Sequence, residues 1–219
     1  MHNTVKNLID IDDDIKDYLN KLNINNNPKI VAVSKTFKID KILPLIEHGH
    51  IDYGENKVQE TLQKWSEIKK ENSQIKLHMI GRLQTNKVKH AVQIFDYIHS
   101  VDSKKLAKKI SEEQKKINKN IKIFLQVNIG DEDQKSGINK NDIGHLASYC
   151  KEIGLEVIGL MCIPPINNDT EIFFEKMNNL NKAMGYHELS MGMSSDFLLA
   201  IKYSATYLRI GSSIFGQRS

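Results

Sequence analysis

The chain has 219 residues, 40% of them hydrophobic and 26% charged, with a formal net charge of +4. That is ordinary globular composition, and the length suits one large domain or two small ones. No apolar run approaches the ~18 residues that suggest a membrane span, the start "MHNTVKNLIDIDDDIKDYLNKL" lacks the parts of a secretory signal, and Cys150 and Cys162 are too few for a disulfide framework. A cytoplasmic protein with no membrane partner is the expectation. Arg82, Arg209 and Arg218 are the only arginines, and lysine runs such as "SKKLAKKISEEQKKINKN" intersperse glutamates and hold no aromatic ring. They read as solvated helix faces, because a nucleic-acid surface concentrates arginine or stacking rings.

The opening segment places Leu8, Ile11, Ile15, Leu19 and Leu22 at helical spacing and ends near "NINNNP". Strand-like runs then follow: "KIVAVS" (29–34), "IDYG" (51–54), "IKLHMIG" (75–81), "FDYIHSV" (95–101) and "IKIFLQVNI" (121–129). Three more are "LEVIGLMCI" (155–163), "HELSM" (187–191) and "ATYLRIG" (205–211). Helical patterns separate them, among them 39–48, 57–70, 103–118, 142–153 and 171–184. Eight strands joined by helices imply parallel pairing through crossovers. In a chain of this length that predicts a single domain over 1–219, a (β/α)8 TIM barrel with an extra N-terminal helix. An open doubly wound sheet expects a glycine-rich turn after its first strand, and "SKTFKID" contains no glycine.

A barrel of this kind gathers its chemistry at the C-terminal ends of its strands. Lys35 ends the first strand, Asn56 follows the second, His78 lies in the third, and Asn128 ends the fifth. Pro164 and Pro165 follow the sixth, "SMGMSS" ends the seventh and "RIGSS" the eighth. Two fates fit Lys35. Its stem can snorkel out of the rim, or its amine can sit in a partly dry site where desolvation favours the neutral, carbonyl-reactive form. "LSMGMSSDF" and "LRIGSSIFG" offer backbone N–H groups and the Ser194 and Ser212 hydroxyls to a phosphate, although each is also an ordinary glycine-serine turn. Arg209 alternates with Leu208 and Ile210 and so faces the opposite way, toward the barrel mouth. There it pairs either with a buried carboxylate or with an acceptor on a ligand. A carbonyl-reactive lysine, a phosphate cradle and a donor for a ring nitrogen together describe pyridoxal phosphate (PLP).

Seven motifs then stand in order: "VAVSKTF", "YGENKVQE", "HMIGRLQTNK", "DEDQKSGI", "GLMCIPP", "LSMGMSSDF" and "LRIGSSIFGQR". On them the chain resembles the YggS/PROSC group of PLP-binding proteins over nearly its whole length. The resemblance implies the fold of the alanine racemase N-terminal domain, with Lys35 carrying PLP as an aldimine. It also implies Arg209 opposite the pyridine nitrogen, Ser194, Gly211 and Ser212 on the phosphate, and Asn56 beside the cofactor. Met191 and Met193 are implied in the surrounding wall, and His78 and Met161 near the ring. A satisfied core histidine is an equal reading of His78. Lys135 matches a family lysine on the loop after the fifth strand, where a solvated side chain is the simpler reading. Lys57 stands where relatives often carry an aromatic, so no stacking is expected there. No metal is expected.

Arginine can only donate to a ring nitrogen, and an unprotonated pyridine is a weaker electron sink than a pyridinium. Alanine racemases share the barrel and the arginine but add a β-domain with a second acid/base tyrosine, and eight strand–helix units use up this chain. The resemblance therefore implies a monomeric PLP-binding protein in vitamin B6 homeostasis, with PLP-dependent apo-enzymes as transient recipients. The alternatives are a PLP-dependent racemase or lyase acting on a small amino acid, or a cofactor-free Schiff-base aldolase for a sugar phosphate.

Overall fold

The computed structural model of the protein describes residues 1–132, 136–165 and 169–217. Lys135 and Arg218 lie outside them. The chain opens with helix α1 (Asn3–Leu22) and then alternates: β1 (Lys29–Val33), α2 (Leu43–Glu47), β2 (Asp52–Glu55), α3 (Val58–Glu71), β3 (Lys76–Met79), α4 (Val88–Ile94) and β4 (Tyr97–Val101). It continues with α5 (Lys104–Lys116), β5 (Lys122–Gln126), α6 (Ile143–Glu152), β6 (Glu156–Met161), α7 (Thr170–Ala183), β7 (Glu188–Met193), α8 (Phe197–Lys202), β8 (Tyr207–Ile210) and the single turn α9 (Ser212–Phe215). The strands pair in parallel in sequence order, and β1 closes on β8 with Val31 opposite Arg209 and Ala32 opposite Ile210. Each strand expected from the sequence is present and the sheet is a closed barrel.

Period-two alternation divides the side chains into two layers. Ile30 and Ala32 of β1, Ile123 and Leu125 of β5, and Leu208 and Ile210 of β8 belong to the large core between strands and helices. Val31, Phe124 and Tyr207, one residue out of phase with these, meet Tyr97 and Met161 inside the barrel. Trp65 on α3 and Phe174 on α7 are fully buried in the outer layer, each removing enough apolar surface to contribute ~2 kcal/mol.

α1 has a definite place in the ring of helices. Seven crossovers join eight strands, and among the described residues a four-residue turn follows β8. α1 buries Val5, Leu8, Ile11, Ile15 and Leu19 along one face, the i, i+3, i+4 stripe of an amphipathic helix. It packs against α2, α8 and α9 and so fills the eighth helical position. Leu22, part of the predicted stripe, ends the helix 38% exposed, because Asn23 adopts a left-handed cap with φ 51° and turns the chain away. The Asn7 side chain donates to the Ile214 carbonyl at 2.9 Å, tying α1 to the turn after β8. Among the described residues no helix is long and apolar enough to cross a membrane.

Candidate functional site

A cavity of about 500 Å³ opens at the C-terminal ends of the strands, within the size range of ligand pockets. β1 supplies Lys35 by simple alternation: Val31 is inside the barrel, Val33 lines the cavity floor, and Lys35 reaches the mouth. Lys35 is half-buried. Directly after it the chain turns sharply, with Thr36 at φ 68°, a left-handed conformation uncommon for a β-branched residue. Glu60 holds that turn by accepting the Thr36 N–H at 2.8 Å. On the outer side the Ser34 hydroxyl donates to Glu55 Oε1 at 2.7 Å, and Lys64 Nζ donates both to the Ser34 carbonyl and to Glu55 Oε1. Phe37 then stacks on Phe215 with centroids 5.0 Å apart, joining this turn to α9.

β8 presents Arg209 from the adjacent strand. Its side chain lines the cavity yet the residue is only 5% exposed. Nη1 donates to Ser190 Oγ at 2.7 Å and Nη2 to the Cys162 carbonyl at 2.8 Å. Among the described residues no carboxylate lies within ion-pair distance of it. Burial lowers its pKa from the ordinary arginine value, with Cys162 and Asp196 acting the other way, but a guanidinium does not shed its proton in a protein. The sequence left a buried carboxylate partner open; the geometry instead gives Arg209 neutral partners and points it at the cavity.

Ser194 and the start of α9 form the third part. Ser194 Oγ accepts the Gly211 N–H at 3.2 Å and the Ser213 N–H at 3.3 Å, so two amides already converge on one oxygen. A Cβ on Gly211 would stand 3.3 Å from Val33 Cβ and 3.4 Å from the Val33 carbonyl, and the missing side chain lets the backbone approach β1. Ser212 lines the same wall. Asn56, after β2, lines the cavity from the other side, and its Oδ1 is buried without a hydrogen-bond partner. A buried acceptor left unsatisfied is costly, and a ligand hydroxyl would satisfy it.

Of the predicted site residues, the cavity thus gathers Lys35, Asn56, Met193, Ser194, Arg209, Gly211 and Ser212. Three others lie elsewhere. Met191 packs in the outer core, where alternation from the inward Ser190 places it; Gly192 at φ 88° then breaks the alternation of β7, so Met193 faces the cavity. The strand register shifts at the same place, the mark of a bulge. Met161 is fully buried among Val31, Tyr97, Phe124 and Tyr207, below the lining. His78 is also fully buried, bonded to Asp52 and His99 and stacked on Tyr97 at 4.3 Å. This is the satisfied core histidine that the sequence allowed. His99, Ser190 and Ser213 were not singled out from the sequence. The signal for the first two was a polar residue at an inward position of a strand.

The lining fits PLP chemically: an amine for the aldehyde, amides and hydroxyls for the phosphate, a fixed donor for the ring nitrogen, and an orphan acceptor for the ring hydroxyl. The sequence profile of the alanine racemase N-terminal domain matches residues 8–219. The pyridoxal phosphate homeostasis protein of Aquifex aeolicus is 37% identical over 203 residues, covering 88% of each chain. PipY of Synechococcus elongatus, solved with PLP bound, superposes with a TM-score of 0.80 at 30% identity over 92% of this chain and 100% of that one. An alanine racemase of Clostridium difficile shares the barrel alone, at a TM-score of 0.74 and 15% identity, with 56% of its length covered. The chain therefore belongs to the alanine racemase N-terminal domain family, among the relatives named pyridoxal phosphate homeostasis proteins.

Proposed function

We propose that this protein binds PLP at the barrel mouth, with Lys35 as its covalent attachment point, and holds and releases it in vitamin B6 homeostasis. The observation that carries this reading is the convergence of Lys35, Arg209, Ser194, Gly211 and Ser212 on one cavity. The cofactor, when bound, supplies a reactive aldehyde and a conjugated ring. Lys35 presents its amine from the end of β1. Arg209 would donate to a ring nitrogen without giving up a proton, an arrangement that favours an unprotonated ring and so a weaker electron sink. Ser194, Gly211 and Ser212 would hold the phosphate, and Phe37 and Ile163 add apolar surface to the lining.

A holding role is favoured over racemisation or lysis by what the cavity lacks. Among its described lining residues there is no carboxylate, imidazole or phenol, so no second proton-transfer group stands opposite Lys35.

Titration with PLP should produce a visible absorption band, and borohydride reduction followed by peptide mapping should place the label on Lys35. Lys35→Ala should abolish the band while leaving the far-ultraviolet circular dichroism unchanged. Label on a different lysine, or a band that persists in Lys35→Ala, refutes the attachment. Mixing the loaded protein with a PLP-dependent apo-enzyme should restore that enzyme's activity faster than free diffusion of the released vitamer accounts for; equal rates with and without the protein would refute delivery.

A further inference from the structure

Below the mouth, a line of polar side chains runs through the barrel core. Asp52 Oδ1 lies 2.9 Å from His78 Nε2, and His78 Nδ1 lies 2.9 Å from His99 Nε2. His99 Nδ1 is 2.8 Å from Ser190 Oγ, which in turn is 2.7 Å from Arg209 Nη1. The links come from β2, β3, β4, β7 and β8. His78, His99 and Ser190 are fully buried, while Asp52, at the N-terminal end of β2, keeps 12% of its side chain exposed at the far end of the barrel.

The two ends fix the direction of every hydrogen bond between them. An ionised carboxylate only accepts, so His78 carries its proton on Nε2 and, being neutral, accepts at Nδ1. His99 must then donate from Nε2 and accept at Nδ1. Ser190 donates its single hydrogen to His99 and uses a lone pair to accept from Arg209, which can only donate. Each group is used once and none is frustrated. The opposite direction requires a charged His78 or a protonated Asp52. Burial pushes His78 below its ordinary value and His99 well below it. Burial is the largest single influence on Asp52 and works against its ionisation, but the His78 hydrogen bond and the neighbouring basic groups, Lys29 among them, together outweigh it and keep that carboxyl below the ordinary value.

We propose that Asp52, His78, His99 and Ser190 are positioning residues for Arg209, forming a one-way hydrogen-bond chain from its guanidinium to the Asp52 carboxylate, with both imidazoles neutral and protonated on Nε2. The chain explains how a buried arginine is held without a carboxylate at ion-pair distance. Aligned dipoles connect the cation at one end of the barrel to an anion at the other, and hydrogen bonds in such a series polarise one another. Together with the Cys162 carbonyl, Ser190 fixes the plane of the guanidinium and leaves its other N–H groups for the cavity. The consequence for a bound ring nitrogen rests on the function proposed above; the chain itself does not.

The test is nitrogen NMR of the ligand-free, histidine-labelled protein, in which two-bond proton–nitrogen couplings report each tautomer. Both His78 and His99 should be neutral Nε2–H forms at neutral pH. Asp52→Ala removes the terminal acceptor and does not touch His99, yet it should convert His99 from one tautomer to a mixture. Ser190→Ala, which cuts the chain at its other end, should do the same and serves if Asp52→Ala does not fold. An Nδ1–H or doubly protonated signal at either histidine of the unmodified protein overturns the chain. So does a His99 signal that neither variant changes.

A second measurement compares the affinity for PLP with that for its 1-deaza analogue, which lacks the ring nitrogen. In Ser190→Ala the preference for PLP should fall by about three- to tenfold, the value of one hydrogen bond. Equal weakening of both ligands would overturn the positioning of Arg209. If the unmodified protein binds neither, the function proposed above fails while the tautomer result still decides the chain.

Discussion

Gly192 shows how much one backbone conformation decides at this site. Its φ of 88° is open to glycine and strained for other residues, and a Cβ there would stand 2.6 Å from Ala200 Cβ and 3.3 Å from Leu208 Cδ2. After an outward Met191, the left-handed step turns Met193 toward the cavity, with Ser194 following at the amides of Gly211 and Ser213. Gly192→Ala combines left-handed strain with overpacking against α8, and should cost about 2–4 kcal/mol. Chemical denaturation measures that loss. Titration with inorganic phosphate should show weaker binding as well, because Ser194 moves with the strand. In the sequence this glycine was part of "SMGMSS", read there as a glycine-serine turn able to take an anion; the motif did not tell which methionine would face inward. Simple alternation from Ser190 places Met191 correctly and Met193 wrongly, because the bulge falls between them.

Among the elements, α3 has a second task besides covering the barrel. Its Lys64 and Trp65 both donate to Glu55 Oε1 at 3.0 Å, and the same oxygen accepts from Ser34, the residue before Lys35. The Glu55 side chain is fully buried and that of Lys64 is 10% exposed. One turn earlier, Glu60 of the same helix accepts the Thr36 N–H. α3 thus grips the Lys35 turn from both sides. Truncating one member of a buried ion pair leaves the other charge uncompensated, so Glu55→Ala should cost about 3–5 kcal/mol. It should also slow the reaction of Lys35 with PLP, measured by stopped-flow absorbance. A stability loss with an unaltered rate would separate the α3 network from the lysine. The motif "GENKVQE" that identifies this region places Glu55 and Glu60 on the page, but nothing in their spacing says that both reach back to β1.

Across the whole molecule, the barrel core carries an acid sensitivity. Burial holds His50, His78 and His99 below the ordinary 6.5 in the folded protein. Below about pH 6.5 the unfolded chain therefore takes up protons that the folded chain does not, and stability falls as pH drops toward the folded values. Each histidine that stays neutral in the fold contributes about 1.4 kcal/mol per pH unit to that slope. Asp52, whose folded pKa is below 3.8, adds a further loss only when pH falls beneath that value. Urea midpoints should thus decline between pH 6.5 and 5, and His99→Gln should flatten the decline by one proton's share. A slope left intact by His99→Gln would mean that His99 is already charged in the fold.

The sequence by itself determined the eight strands and their parallel order, because period-two alternation and strand–helix repetition are local properties of the chain. It also gave the direction of Arg209, since one strand suffices to set inside from outside. Only the tertiary structure decided what meets across the barrel. The chain Asp52–His78–His99–Ser190–Arg209 draws on five strands, and no spacing within one strand encodes the closed register that brings them together. The place of α1 was decided the same way: its apolar stripe is legible, but the gap it fills exists only because the barrel closes with seven crossovers.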